Sequence, residues 1–416
     1  MTTTQRLDAD LLIPGKGDPI EKGALVWTGK TINYAGPHKD LPMEYRKLKA
    51  SRHAVVMPGM WDCHIHFLGA EKLDMMAAAI TSQALAGARC VPDLQAPLMA
   101  GFTSVREVGG YGAQLASAVD SGKVLGPTIY GSHSAISMTA GHGDVHSMPL
   151  DGLSALTAHG VPFTVADGVE GCTRAVRLQL RQGARIIKVC ASGGVASEKV
   201  NPDHQQFSNE ELKAVVDEAR RSGRAVAAHC HGKPGVMAAL QAGCLTIEHG
   251  SFLDDETIDV MLEKGAMLVA TRAIIEGLLA MKEHLTPVMR EKLLHVADAH
   301  SASYKLAVQR GVKIALGTDT FSSPKAGGTF GYGKNGQELL FATLAGLSPL
   351  EAIEAATANG PLTLGPQAPL SGQLRKGYDA DFIAVESNPL DDISILADSS
   401  NVTHIWKGGS SVKSSS

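Results

Sequence analysis

The chain has 416 residues, a net charge of −4, 44% hydrophobic and 19% charged residues. That balance gives a large core and no basic footprint, so nucleic acid is excluded as a partner and small-molecule chemistry is expected. The six cysteines are Cys63, Cys90, Cys172, Cys190, Cys230 and Cys244, with no CxxC pair; reduced thiols are expected rather than a disulfide framework.

The N-terminus carries no apolar h-region, and no uncharged apolar run reaches the roughly 18 residues of a membrane span. No signal peptide and no membrane contact are expected, and the expected compartment is cytoplasmic. The first elements read as short strands: Ala9 to Ile13, Ala24 to Thr28 and Thr31 to Ala35, separated by Gly, Pro and Lys. The chain closes on similar runs, Asp381 to Val385 and Val402 to Trp406, before a Ser-rich tail from Ser410 that is expected to fray. The two ends are expected to pair into one small β-sandwich, residues 1–58 with 366–416.

Between the ends, over residues 59–365, β-branched runs alternate with helix-length amphipathic segments. The runs include Ala54 to Val56 at the border, then Thr103 to Val105, Arg185 to Val189, Ala225 to Ala228, Leu245 to Ile247, Met267 to Ala270 and Val312 to Leu316. Nearly continuous apolar strands suit a parallel sheet covered on both faces. Ser208 to Ser222 supplies one crossover, with Ser208 as N-cap and Glu211 as its capping-box partner. Roughly eight such units fit, and the fold class expected is α/β, a closed (β/α)8 TIM barrel.

Several of these strands end in a metal-competent side chain, where barrel enzymes place their chemistry. After Met57-Pro58-Gly59-Met60 comes Asp62-Cys63-His64-Ile65-His66. Residues i and i+2 of a strand share a face, so His64 and His66 can grip one ion together. Taken alone, the pair also fits two partly buried histidines with ordinary partners. Lys188 ends the next such run. A buried ammonium is driven toward neutrality, and a neutral amine can capture carbon dioxide as a carbamate able to bridge two cations; a lysine snorkelling to the rim is the plainer reading. His229 and His249 follow two further strands, and Asp319 follows Leu316-Gly317-Thr318, where a carboxylate can both bind an ion and carry a proton.

Other residues near strand ends are candidates for substrate contact. His231 shares a face with His229 and is expected to touch substrate or relay a proton. His142 sits in the Gly-rich stretch Thr139 to Asp144, as a pocket residue or a surface histidine. Tyr111 also follows a strand end, and Arg272 suits either a substrate carboxylate or an ion pair within the barrel. Cys63 and Cys230 are weak alternatives as nucleophiles, being set to face away from their neighbouring histidines.

The ordered set His64, His66, Lys188, His229, His249 and Asp319, with the closing stretch Gly372 to Asp381, resembles the amidohydrolase superfamily, in its binuclear form with a carboxylated lysine, over nearly the whole chain. The resemblance implies two divalent ions, zinc by default for the His-rich shell. His64, His66 and Asp319 would hold one and His229 and His249 the other. A carbamate on Lys188 would lie between them, and Asp319 would move the proton. Within the superfamily the chain is similar to the amidases that split ochratoxin A into ochratoxin α and L-phenylalanine, through stretches such as Met57 to His64, Ala166 to Glu170 and Val402 to Gly409. It is also similar to Xaa-Pro dipeptidases and N-acyl amino acid carboxypeptidases. The resemblance implies a homo-oligomer, with an octamer among its forms. A cyclic amide or lactone hydrolase and a non-catalytic metal-binding scaffold are the competing readings.

Overall fold

The computed structural model describes residues 3–71, 74–322 and 330–414. Both ends of the chain enter one seven-stranded mixed sheet. The strands Thr4–Leu12, Ile20–Thr28, Thr31–Pro37 and Ala50–Pro58 come from the start, and Phe382–Val385, Val402–Lys407 and Ser410–Ser414 from the end. The junction is the antiparallel pairing of Ala50–Pro58 with Phe382–Val385. The run Ala54 to Val56 therefore belongs to this sheet and not to the barrel.

Alternation along these strands builds two apolar layers. Phe382 and Ala384 join Leu25, Trp27 and Trp406 in one layer, while Ile383 and Val385 face the barrel with Met60, Phe102 and Ile353. Trp27 and Trp406 stand four strand steps apart, about 19 Å in a flat sheet. Their rings are 6.3 Å apart. The sheet curls until its two halves face one another, as a sandwich does. The Ser-rich tail departs from expectation: Ser410–Ser414 pairs antiparallel with Val402–Lys407. Its backbone finds ladder partners even though its side chains bury little. Ser415 and Ser416 lie outside the described residues.

The middle of the chain closes into the parallel barrel. Met60–Ile65, Phe102–Glu107 and Thr128–Gly131 form one arc. Ala135–Ser137, Ile187–Cys190, Val226–Cys230, Thr246–His249 and Met267–Val269 form the other, with Phe163–Val165 at its edge. The segment around Ile314 joins the arcs: Leu268 bridges Ile314, Cys63 donates its N–H to the Leu316 carbonyl at 2.8 Å, and Ile65 bridges Thr320. On the other side the Arg185 N–H reaches the Gly131 carbonyl at 2.8 Å.

Helices cover the outside. Asn209–Arg221 starts at the expected cap, where Ser208 accepts from the Glu211 N–H and Glu211 accepts from the Ser208 N–H. Its Leu212, Val215, Val216 and Ala219 fall at helical spacing and pack with Val226 and Ala228. No helix among the described residues is long and apolar enough to cross a membrane.

Candidate metal centre and active site

The C-terminal ends of the barrel strands bring the predicted residues together. His64 lies near the end of Met60–Ile65 and His66 just past it; Lys188 lies in Ile187–Cys190, His229 in Val226–Cys230, and His249 closes Thr246–His249. Two groups of potential ligand atoms result, each with its atoms within 4.8 Å of one another: His64, His66 and Asp319, and His229, His231 and His249. His231, expected from sequence as a substrate contact, thus shares the second group. Asp319 Oδ1 stands 3.0 Å from His66 Nε2 and 3.4 Å from His64 Nε2.

Partners that can only accept fix three of the imidazole tautomers. His64 Nδ1 meets the Glu248 carboxylate at 2.7 Å, and His66 Nδ1 meets the Gly109 carbonyl at 2.7 Å. Each Nδ1 must carry the hydrogen; His64, held neutral by burial, keeps an Nε2 lone pair, whereas burial of His66 is outweighed by the hydrogen bond of its Nε2 to Asp319, which raises its pKa in the ion-free protein. His229 is turned the other way: its Nε2 donates to the Gly193 carbonyl at 3.0 Å, which frees Nδ1. His231 and His249 stack in parallel with centroids 5.0 Å apart, and each Nδ1 rests 2.7 Å from a hydroxyl, Ser251 and Thr271 respectively. His142 stacks on His229 at 4.2 Å, and its Nδ1 is held by the Ser197 hydroxyl.

The protonation states suit cation binding. Burial pushes His64 and His142 down to about 4 and His231 to about 3, with His229 and His249 also driven low. These rings are neutral at pH 7, as a nitrogen ligand must be. For Asp319 burial works against ionisation, but His64 and His66 overcome it and hold the carboxyl below its usual range. Lys188 is buried, and desolvation lowers its pKa. Among the described residues its amine has no hydrogen-bond partner.

Backbone strain gathers at the same place. His249 has φ 69°, Thr271 φ 56° and Asp319 φ 58°. A non-glycine residue in the left-handed region is uncommon, and a β-branched threonine there is a clear outlier of the kind that clusters at functional sites.

Around this centre lies a cleft of about 1270 Å³, counting its open mouth. Leu68, Met75 and Phe163 form an apolar wall on one side, and Ile274, Ile275 and Leu278 another. His142 and His231 line the cleft; Tyr111 and Arg272 do not. Tyr111 is buried with its hydroxyl unpartnered among the described residues. Arg272 is spent among the covering helices, on Glu276 at 2.6 Å and the Ala297 carbonyl at 2.7 Å. Cys63 and Cys230 are buried in apolar clusters. Burial pushes the Cys63 thiol up to about 12 and raises Cys230 as well, so neither offers a thiolate.

Sequence reasoning missed the groups that orient the ligands. Arg106 and Glu248 are fully buried beneath His64, and Ser197, Ser251 and Thr271 hold the rings of His142, His231 and His249. The available signal was alternation. Ser104 and Arg106, like Thr246 and Glu248, place polar side chains on the face opposite the core residues Val105 and Ile247.

Residues 55–412 match the family model described as Amidohydrolase family. Ochratoxinase from Aspergillus niger is 47% identical over 418 residues, covering 96% of this chain and 85% of that protein. Its crystal structure superposes with a TM-score of 0.92 at 45% identity, over 100% of this chain and 96% of that one. A prolidase crystallised with N-methylphosphonate-L-proline gives a TM-score of 0.90 at 31% identity, covering 99% of this chain and 100% of that one. A Xaa-Pro dipeptidase with methionine in its active site gives 0.84 at 29% identity, with the same coverage. With its barrel, its two clusters of ligand atoms and this likeness along nearly its whole length, the chain belongs to the amidohydrolase family and is a hydrolase of amide bonds.

Proposed function

We propose that the protein is a binuclear metal-dependent amidase that releases the C-terminal amino acid from N-acyl L-amino acids. Ochratoxin A, split to ochratoxin α and L-phenylalanine, is the substrate favoured by the 47% identity to ochratoxinase. The observation that carries the metal reading is the pair of three-residue clusters lining the cleft with the buried Lys188. The imidazoles of His64, His229 and His249, held neutral by burial, with an ionised carboxylate and an amine poised for carbamate formation, fit two divalent ions, zinc by preference.

His64, His66 and Asp319 would hold one ion and His229 and His249 the other, with His231 in reach of the second and the Lys188 carbamate between them. When bound, the ions supply Lewis acidity toward the scissile carbonyl and bring the pKa of water to about 7. Asp319, ionised at neutral pH, takes the proton of the attacking water and gives it to the leaving nitrogen. The substrate's free carboxylate needs donors, and among the described residues no arginine lines the cleft. His231, whose Nδ1 can accept from the Ser251 hydroxyl and leave an Nε2–H donor, would receive it, with His142 beside it in the cleft. The apolar walls take the aromatic side chain and the acyl group, and shield the site from bulk water.

The second reading is a broader dipeptidase, favoured by the likeness to the prolidase and the Xaa-Pro dipeptidase. Parallel kinetics on ochratoxin A, N-acyl phenylalanines and Xaa-Pro dipeptides separate the two. The proposal expects the highest kcat/KM on an aromatic C-terminal residue. Efficient turnover confined to Xaa-Pro substrates would replace it with the second reading.

A further inference from the structure

We infer that Arg106 and Glu248 form a buried clamp that positions His64 for the ion it would share with His66 and Asp319. The inference rests on the metal-dependent reading above. Glu248 is completely buried, and so is Arg106. Arg106 Nη2 lies 2.7 Å from both Glu248 oxygens. Thr246 donates its hydroxyl to Glu248 Oε1, and His64 Nδ1 donates to Oε2 at 2.7 Å. Those four bonds fill the lone-pair sites of a carboxylate. Glu248 has no capacity left to bind an ion, although it is the neighbour of His249.

Arg106 also grips the chain from the other side. Its Nε donates to the Cys63 carbonyl at 2.6 Å, directly before His64, and its Nη1 donates to Thr246 Oγ1 at 2.9 Å. The backbone entering His64 and the ring of His64 are therefore held by one network that spans three barrel strands. A carboxylate behind a ligating imidazole fixes its tautomer and raises its basicity, and losing such a partner typically weakens metal binding or activity 10–100-fold. Glu248 and Arg106 act through His64, and both are positioning residues.

A buried ion pair with one partner removed is destabilised, whereas replacing both by apolar residues of similar size is often neutral or stabilising. This separates positioning from structure. The test uses the full chain, stripped by a chelator and titrated with zinc, for the wild type, Glu248→Gln and the double variant Arg106→Met with Glu248→Met. The wild type should bind two ions per chain. The double variant leaves the Cys63 carbonyl, the Thr246 hydroxyl and His64 Nδ1 without these partners but no buried charge unpaired; it should still fold, and bind one of the two ions about 10–100-fold more weakly. Its kcat at limiting zinc should fall while KM stays unchanged. Glu248→Gln, which keeps an acceptor for His64, should lose less.

A readout on the wild type does not depend on how the variants fold. In the zinc-loaded, 15N-histidine-labelled protein the His64 ring should be protonated at Nδ1. Unchanged affinity for both ions in a folded double variant, or an unprotonated Nδ1, would overturn the clamp alone. A wild-type chain that takes up no ion would overturn the metal reading, and the clamp with it.

Discussion

Replacing Asp319 by Asn removes the ability to take and return a proton, together with the negative charge of one ion ligand, and leaves the shape in place. Asp319 sits at φ 58° with its N–H 2.6 Å from the His64 carbonyl. Asn tolerates the left-handed region better than most residues, so the turn is retained. The Asn side-chain oxygen can still face His66 Nε2, where Oδ1 now stands at 3.0 Å. General acid–base catalysis is typically worth 10²–10⁴-fold, about 2.7–5.4 kcal/mol in the barrier. The expected result is a fall in kcat of that size with little change in KM or melting temperature. The assay is amino-acid release from an N-acyl phenylalanine, with metal content measured on the same sample. A variant that holds two ions and keeps kcat within about tenfold of wild type would refute the proton-transfer role.

Three further outcomes are expected. Lys188→Met should abolish hydrolysis while leaving the melting temperature unchanged or raised, since it removes an amine whose burial disfavours its charge; thermal melts and activity on one preparation check this. Gly194→Ala should displace His142, because an added Cβ would lie 2.3 Å from the His142 ring. A raised KM with ion content unchanged is the expected signature, and an unchanged KM would remove His142 from substrate binding. Asp381 is buried in the terminal sheet, and burial raises its pKa from 3.8 to about 6. A raised folded-state pKa means that its contribution is most favourable below pH 3.8 and is lost as pH rises toward 6. Asp381→Asn lacks that loss, so relative to wild type it should gain about 2 kcal/mol between pH 4 and 7, read by denaturant unfolding at the two pH values.

What the sequence made legible was local. An apolar run that closes on a metal-competent side chain marks a strand end, as at Ile65-His66 and Val226-Ala227-Ala228-His229, while Lys188 lies within its run and Asp319 follows Gly317-Thr318. The capping box at Ser208 likewise needs only four consecutive residues. The groups that orient the ligands are less legible because they meet across the barrel. Arg106 and Glu248 are 142 positions apart, and His142 finds Ser197 55 positions later. Period-two alternation marks these residues as inward-facing, but nothing local says what they face. For Arg272 the sequence left a substrate carboxylate and an ion pair open, and Glu276, one helical turn on, takes its guanidinium. The strand role of the Ser410 tail was hidden because its stability comes from pairing with Val402–Lys407 and not from its own composition.

The most direct test of the account is hydrolysis of ochratoxin A and of an N-acyl phenylalanine by one preparation in three states: as purified, chelator-stripped, and reconstituted with zinc while bound ions are counted. The account predicts that amino-acid release disappears on stripping and returns as the chain takes up two ions. Undiminished hydrolysis by the metal-free protein would contradict it, as would a chain holding two ions that cleaves neither amide.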